Sequence, residues 1–207
     1  DNQSKSIVYI ARHIWTTSFL YQHYPQYPEF LDYAEHGFQF LKNAMWDNEQ
    51  GGYYITVSRD GIPIDSIIDQ KRIYGQAFAI YALAQYYLAS DNEEALEWAQ
   101  KSFNWIEKNP HDKEHGGYFE FLHRDGTPIM MDDPMEINMN DWRVKGYKDY
   151  NSSIHVLEAL TTLYQAWPDE LVRERLDEMF HIVRDTMVTE PGYLLLYFHP
   201  DWTVVSG

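Results

Sequence analysis

The strongest constraint on the fold is a segment that the chain carries twice. Residues 47–64, DNEQGGYYITVSRDGIPI, return 65 positions later as residues 112–129, DKEHGGYFEFLHRDGTPI. Each copy opens on a Gly-Gly turn and runs through aromatic and β-branched residues that suit a short strand. Each then closes on Arg-Asp-Gly, where glycine supplies the positive φ of a tight turn. A worn third copy, PGYLLLYFHPDW, occupies residues 191–202. Short strands are therefore expected near residues 52–57, 117–122 and 193–198. Before each copy lies a segment of helical periodicity, at 29–46, 93–108 and 170–189. The last two carry acidic first turns behind the candidate caps Asp91 and Asp169. Three further helices are expected at 6–21, 72–89 and 150–167. The order is inner helix, outer helix and strand turn, three times over. No such unit can bury its first helix alone, so the units must stand side by side with those helices inside. The expected fold is all-α, an α/α toroid in three helix-hairpin repeats with short β-hairpins, and residues 1–207 are read as one domain.

Superposing the inner helices at offsets of 66 and 77 aligns Tyr21 with Tyr87 and Tyr164, and puts Arg12, Phe78 and His155 in one column. In the third inner helix Asn151, His155, Glu158 and Thr162 recur at i, i+4, i+7 and i+11, a polar stripe opposite Ile154, Leu157, Leu160 and Leu163. His155 can be read as a core histidine satisfied by Glu158 one turn along, or as a working side chain facing a cavity. Arg12 at the equivalent place favours the second reading, because an arginine is rarely buried without a partner. Tyr74, opening the second inner helix in KRIYGQAF, either faces the same mouth or bonds the neighbouring unit, and Gly75 beside it permits close approach. Asn151 can hold a ligand hydroxyl or cap its helix. A His-x-x-Glu pair needs further ligands from other helices to hold a metal, so no metal is assigned. His111, His115, His123 and His199 fall in strand turns and read as solvated. The insertion at 130–147 is expected to form a loop over the inner mouth.

Composition narrows the partners. A formal charge of -16 opposes phosphate backbones and anionic lipid, so neither nucleic acid nor membrane is expected as a partner. The absence of cysteine excludes disulfides, thiolate catalysis and cysteine-bound zinc. With 17 Tyr and 7 Trp, the aromatic content suits stacking against sugars as well as an ordinary helical core. No apolar run reaches membrane-spanning length and no leader precedes Asp1, so a soluble, cytoplasmic protein is expected.

The segments YIARHIWTTSFLY, KRIYGQAFAIYALAQYY, GGYY, GGYF and YNSSIHVLEALTTLY together resemble the N-acylglucosamine 2-epimerase and cellobiose 2-epimerase superfamily, which includes aldose-ketose isomerases acting on mannose. The resemblance implies the first half of a twelve-helix (α/α)6 barrel. It also implies metal-free, cofactor-free chemistry at C2 of a ring-opened sugar. By carry-over, Arg12 would hold the oxygen that develops charge at C1 or C2, His155 and Asn151 would bind O1 and the ring oxygen and assist ring opening, and Tyr74 would line the substrate subsite; Glu158 is counted with Asn151 and Tyr74 as substrate-binding. The family's two proton-transfer histidines would fall after Gly207, so the 207 residues alone are expected to be inactive, and half a toroid is expected to expose apolar flanks that invite homodimerisation. Cellobiose-acting members commonly carry a second histidine where this sequence has Ser153, which points to a monosaccharide. A toroid glycoside hydrolase or lyase, using Glu158 or Asp149, and a non-catalytic sugar-binding protein are the alternatives.

Overall fold

The computed structural model describes residues 3–135 and 145–205. Six α-helices occur among them: α1 (Ile7–His23), α2 (Glu29–Phe40), α3 (Ile73–Ser90), α4 (Glu93–Lys108), α5 (Tyr150–Ala166) and α6 (Glu170–Ile182). The outer helices α2 and α6 each run on into one wider π-type turn, Leu41–Met45 and Val183–Met187, which explains why their periodicity reads longer than the α-helix proper. Asp169 caps α6 as expected, its carboxylate accepting from the amides of Leu171 and Val172. For α4 the expected cap was wrong by one residue. Asn92 accepts from the amide of Ala95, while Asp91 ends α3 in the left-handed region at φ 55°.

Three of the four strand pairs close whole units, and one is a local hairpin. β1 (Lys5–Ser6) pairs antiparallel with β2 (Thr56–Val57), and β3 (Gln70–Arg72) pairs with β4 (Phe121–His123). β5 (Lys148–Asp149) precedes α5 and pairs with β8 (Tyr197–Phe198), while β6 (Val188–Thr189) and β7 (Tyr193–Leu194) form a small hairpin beyond α6. Each unit thus starts and ends at one place, with an inner and an outer helix between. Helix α3 packs against α1 on one side and α5 on the other, with α2, α4 and α6 outside their respective inner helices. Its central place explains its sequence: Ala77, Ala79, Ala82 and Ala84 are all fully buried, and small residues let three helices stand close together. One apolar cluster runs from Ile7 and Ile14 through Phe38, Ile80 and Phe103 to Leu160 and Met179. Beyond α5 the third unit leaves Leu171, Phe180, Tyr193, Leu194 and Leu196 exposed.

The doubled Gly-Gly motif has a physical reason. Gly51 and Gly52 sit at φ 72° and 71°, Gly116 and Gly117 at 73° and 72°, where a side chain would be strained. An indole lies on each pair: that of Trp105 on the first and that of Trp202 on the second, so that a Cβ on Gly117 would meet Trp202 at 2.4 Å. The two tryptophans come from unrelated places, α4 and the turn after β8, yet donate to equivalent carbonyls, Gln50 O at 3.1 Å and His115 O at 2.9 Å.

Beneath these turns lie two fully buried lysines at equivalent positions. Lys148 donates to Asp112 Oδ2 (2.6 Å), Gly116 O (2.7 Å) and Pro200 O (2.7 Å). Lys71 donates to Asp47 Oδ2 (2.9 Å), Gly51 O (2.6 Å) and Arg124 O. Each lysine belongs to one unit and takes its carboxylate from the unit before, so the pair is a staple between neighbours. Lys5 holds the same register position in the first unit, half-buried, with its ammonium 5.4 Å from the Phe40 ring centre.

Candidate active site

The inner helices all begin at the strand pairs, and their first two turns form one continuous face. Arg12 Cζ lies 5.0 Å from the centre of the Phe78 ring, and the Phe78 and His155 rings are 4.5 Å apart. The column read from the sequence is therefore a physical stack across α1, α3 and α5, with Phe78 between the two polar members. Tyr74 joins it, edge-on to His155 at 5.1 Å and to Phe78 at 5.0 Å. Trp15 stacks on Tyr81 at 5.1 Å, extending the aromatic floor toward α1. Burial, reinforced by the negative charge of Glu158, pushes the Tyr81 hydroxyl pKa up to about 12, so it stays a neutral donor at neutral pH.

His155 Nδ1 lies 2.6 Å from Glu158 Oε2, the partner expected from the i+3 spacing. A proton on Nδ1 held by that carboxylate leaves Nε2 as the acceptor of the neutral ring, and two donors when the ring is charged. Asn151 is exposed one turn before His155, at the register position that Tyr74 occupies in the unit before. Capping is done by Asp149, which accepts from the amide of Ser152 at 2.8 Å, so Asn151 is not spent on the helix terminus.

Several expectations are corrected. Arg12 is exposed rather than buried, so its place in the stack, and not the rarity of buried arginine, is what ties it to the face. Gly75 does permit close approach, and the neighbour that uses it is α1: a Cβ there would meet Ile7 Cγ2 at 2.8 Å. Ser153 is buried, on the side of α5 turned away from Asn151. Thr162, placed on the polar stripe, is also buried. His111 is not a solvated loop residue; its ring is nearly buried and bonds Glu178 of α6 at 3.1 Å. His123 bonds Asp133 at 2.7 Å, and His199 packs edge-on to Tyr147 at 5.1 Å. The middle of the 130–147 insertion lies outside the described residues. Its flanks are tied down by Gly146 N to Ile129 O at 2.9 Å and by Lys145 Nζ to Asp133 O at 2.8 Å.

One group in this region went unread in the sequence. Glu120, the residue before β4, is 2% exposed and lies between the starts of α3 and α5. Its carboxylate pairs with Arg72 and accepts from Ser152 Oγ at 2.5 Å and from Tyr74 N at 3.3 Å. Burial raises its pKa to about 7, outweighing Arg72, and the carboxylate of Asp149 pushes the same way. Asp149 is itself raised, chiefly by burial. Within FEFLH the glutamate reads as one polar position of an alternating strand, and only alignment of the three units makes it stand out.

Three inner helices side by side, with a cation, a histidine-carboxylate pair and an aromatic floor at one mouth, define the class of fold: part of an α/α toroid. The sequence matches the N-acylglucosamine 2-epimerase (GlcNAc 2-epimerase) family over residues 1–207, and the chain belongs to that family. A cellobiose 2-epimerase of Ruminococcus albus is 35% identical over 203 residues, covering 98% of this chain and 49% of the relative. The solved cellobiose 2-epimerase of Spirochaeta thermophila superposes with a TM-score of 0.86 at 33% identity, covering 100% of this chain and 49% of that one. A D-mannose isomerase of Marinomonas mediterranea is 24% identical over 207 residues, covering 99% of this chain and 47% of the relative. The chain thus spans about half the length of the relatives it matches, and the fold is the corresponding part of an (α/α)6 toroid.

Proposed function

We propose that this chain supplies one half of the active site of an enzyme that epimerises or isomerises an aldose at C2. The observation that carries the proposal is the contiguous Arg12–Phe78–His155 stack with Tyr74 against it, on the mouth-facing ends of three adjacent inner helices. The reaction begins with ring opening, in which O1 loses a proton and the ring oxygen gains one. His155 suits that exchange, since Glu158 holds Nδ1 and leaves Nε2 to accept and return the proton. Removal of the C2 proton then sends the C–H electron pair into a C1–C2 double bond and negative charge onto O1. The Arg12 guanidinium, planar and permanently charged, is the donor for that oxygen. Reprotonation at C2 from the other face gives the epimer, and reprotonation at C1, with the O2 proton passed to O1, gives the ketose. Asn151 and Tyr74 orient the sugar hydroxyls, the half-buried Tyr81 offers aromatic surface to the sugar ring, and the buried Phe78 backs Arg12 and His155. Among the described residues, this face carries no counterpart of the pair of histidines that family resemblance assigns to the C2 proton.

Identity is higher to the relative named cellobiose 2-epimerase, at 35%, than to the one named D-mannose isomerase, at 24%, which makes cellobiose the first substrate to try. The test is exchange of the C2 hydrogen in heavy water, followed by nuclear magnetic resonance, on cellobiose, mannose and N-acetylmannosamine. A full-length protein containing this chain should exchange at least one of them, and Arg12→Ala should slow it by about 10²- to 10³-fold. The 207-residue chain alone should exchange none. Failure of the full-length protein on every aldose would refute the reading.

A further inference from the structure

We propose that Glu120 is a positioning residue for this site, its carboxylate fixing the separation of α3 and α5 and thereby that of Tyr74 and His155. The inference rests on the C2 chemistry proposed above for its functional consequence, and on the geometry of the three units for its physical basis. In each unit the residue at this place does the same backbone job. Ile55 O accepts from Ile7 N at 3.1 Å, Glu120 O from Ile73 N at 3.0 Å, and Leu196 O from Tyr150 N at 3.0 Å. The fold therefore asks only for a carbonyl, and two of the three units meet it with an aliphatic side chain. In the remaining unit a carboxylate is withdrawn from water, at a desolvation cost that packing alone does not return.

What the carboxylate does there is join two helices. Oε2 accepts from Tyr74 N of α3 and from Ser152 Oγ of α5, while Oε1 is held by Arg72, whose guanidinium also lies 5.6 Å from the Tyr74 ring centre. The residues so joined are immediate neighbours of the candidate site: Tyr74 itself, and Ser152 beside Asn151. At the α1–α3 junction the place is taken by Ile55, which with Arg72, Tyr74 and Gln76 borders a cleft of about 180 Å³ instead of a bridge. The charged groups facing Glu120 are Arg72 on β3 and Asp149 on β5, and with a carboxyl pKa near 7 the bridge to Arg72 is fully charged only above neutrality. Below that, the protonated carboxyl keeps a hydrogen bond but loses its ionic hold on Arg72.

The test uses Glu120→Leu, which installs the side chain that the third unit already carries at this place, and Glu120→Gln, which keeps the shape without the charge. In the full-length protein, the His155 Hδ2 and Hε1 resonances, set by the Phe78 and Tyr74 rings, should move in both variants, while those of His23 at the far end of α1 stay. In the full-length protein, Glu120→Leu should lower kcat/KM for C2 exchange about tenfold or more. The wild-type pH profile should show a limb near neutrality that is missing in Glu120→Gln. Unmoved His155 resonances with kcat/KM within twofold of wild type would overturn the proposal. If the wild-type full-length protein exchanges no aldose, the functional reading falls, and the His155 resonances alone then decide whether Glu120 positions the two helices.

Discussion

Replacing Lys148 with methionine tests the staple between units. The aliphatic stem is kept and the ammonium removed, so what is lost is three hydrogen bonds, to Asp112, Gly116 O and Pro200 O, at a site with no solvent access. Asp112 keeps its bonds from the amides of Glu114 at 2.9 Å and His115 at 3.2 Å, but loses its lysine. Removing one partner of a buried pair costs about 3–5 kcal/mol, because the other charge stays behind. Lys71→Met is the internal comparison. Asp47 has a second cation, Arg124, whose Nε lies 2.7 Å from Oδ2 and whose Nη2 lies 3.1 Å from Oδ1. That pairing persists, and the loss reduces to unpaired carbonyls, roughly 1–3 kcal/mol. Urea unfolding followed by tryptophan fluorescence at pH 7 measures both. For a chain of this size the Lys148 variant should also melt roughly 6–20 °C lower, at about 2–4 °C per kcal/mol. A loss under about 1 kcal/mol for Lys148→Met, or a loss for Lys71→Met equal to or above it, would refute the reasoning.

Three further outcomes are expected. Glu120 carries a folded-state pKa raised to about 7 from an ordinary 4.5, chiefly by burial. The folded chain then holds more protons than the unfolded chain between those values, and stability falls as pH rises through that window, by on the order of 3 kcal/mol. Glu120→Gln should remove that slope from the pH dependence of the urea midpoint, and an unchanged slope would contradict the assignment. Gly117→Ala sets a Cβ 2.4 Å from Trp202 at a φ of 72°, and should cost roughly 2–4 kcal/mol by urea denaturation. At Gly192, φ 119°, nothing lies within 4 Å, so alanine there should cost only the backbone strain, about 1–2 kcal/mol.

Helix positions were legible because each inner helix buries a long apolar face and each outer helix carries a cap or an acidic first turn. The strand pairing was not legible. β1 and β2 are two residues each and lie about 50 positions apart in register, Lys5 opposite Val57, so no local pattern links them. Asp91 and Asn92 are both good caps, and only the geometry of the α3–α4 link, with Asp91 left-handed, decides between them. Lys71 and Lys148 were passed over because lysine is ordinarily a surface residue; their burial depends on carboxylates 24 and 36 positions away. The Arg12, Phe78 and His155 column was legible as an alignment. That its members touch follows from the close approach of the helices, which Gly75 and the buried alanines of α3 allow.

Comparing units at one register position separates what holds the toroid together from what equips the site. Lysine stands at this register position in all three units, as Lys5, Lys71 and Lys148, and the carboxylates that hold the last two, Asp47 and Asp112, stand in the same turn, so this pair serves the architecture. The next register position is different in every unit: Ser6, Arg72, Asp149. So is the position two further on, Val8, Tyr74 and Asn151, and the one a turn later, Arg12, Phe78 and His155. A fold built by repetition would tolerate repetition at those places too. Their divergence at the helix ends that share one mouth is what a single asymmetric ligand requires, since each unit must meet a different part of it. Glu120 falls in the divergent class although it precedes a strand and is buried, whereas the lysines, equally buried, do not.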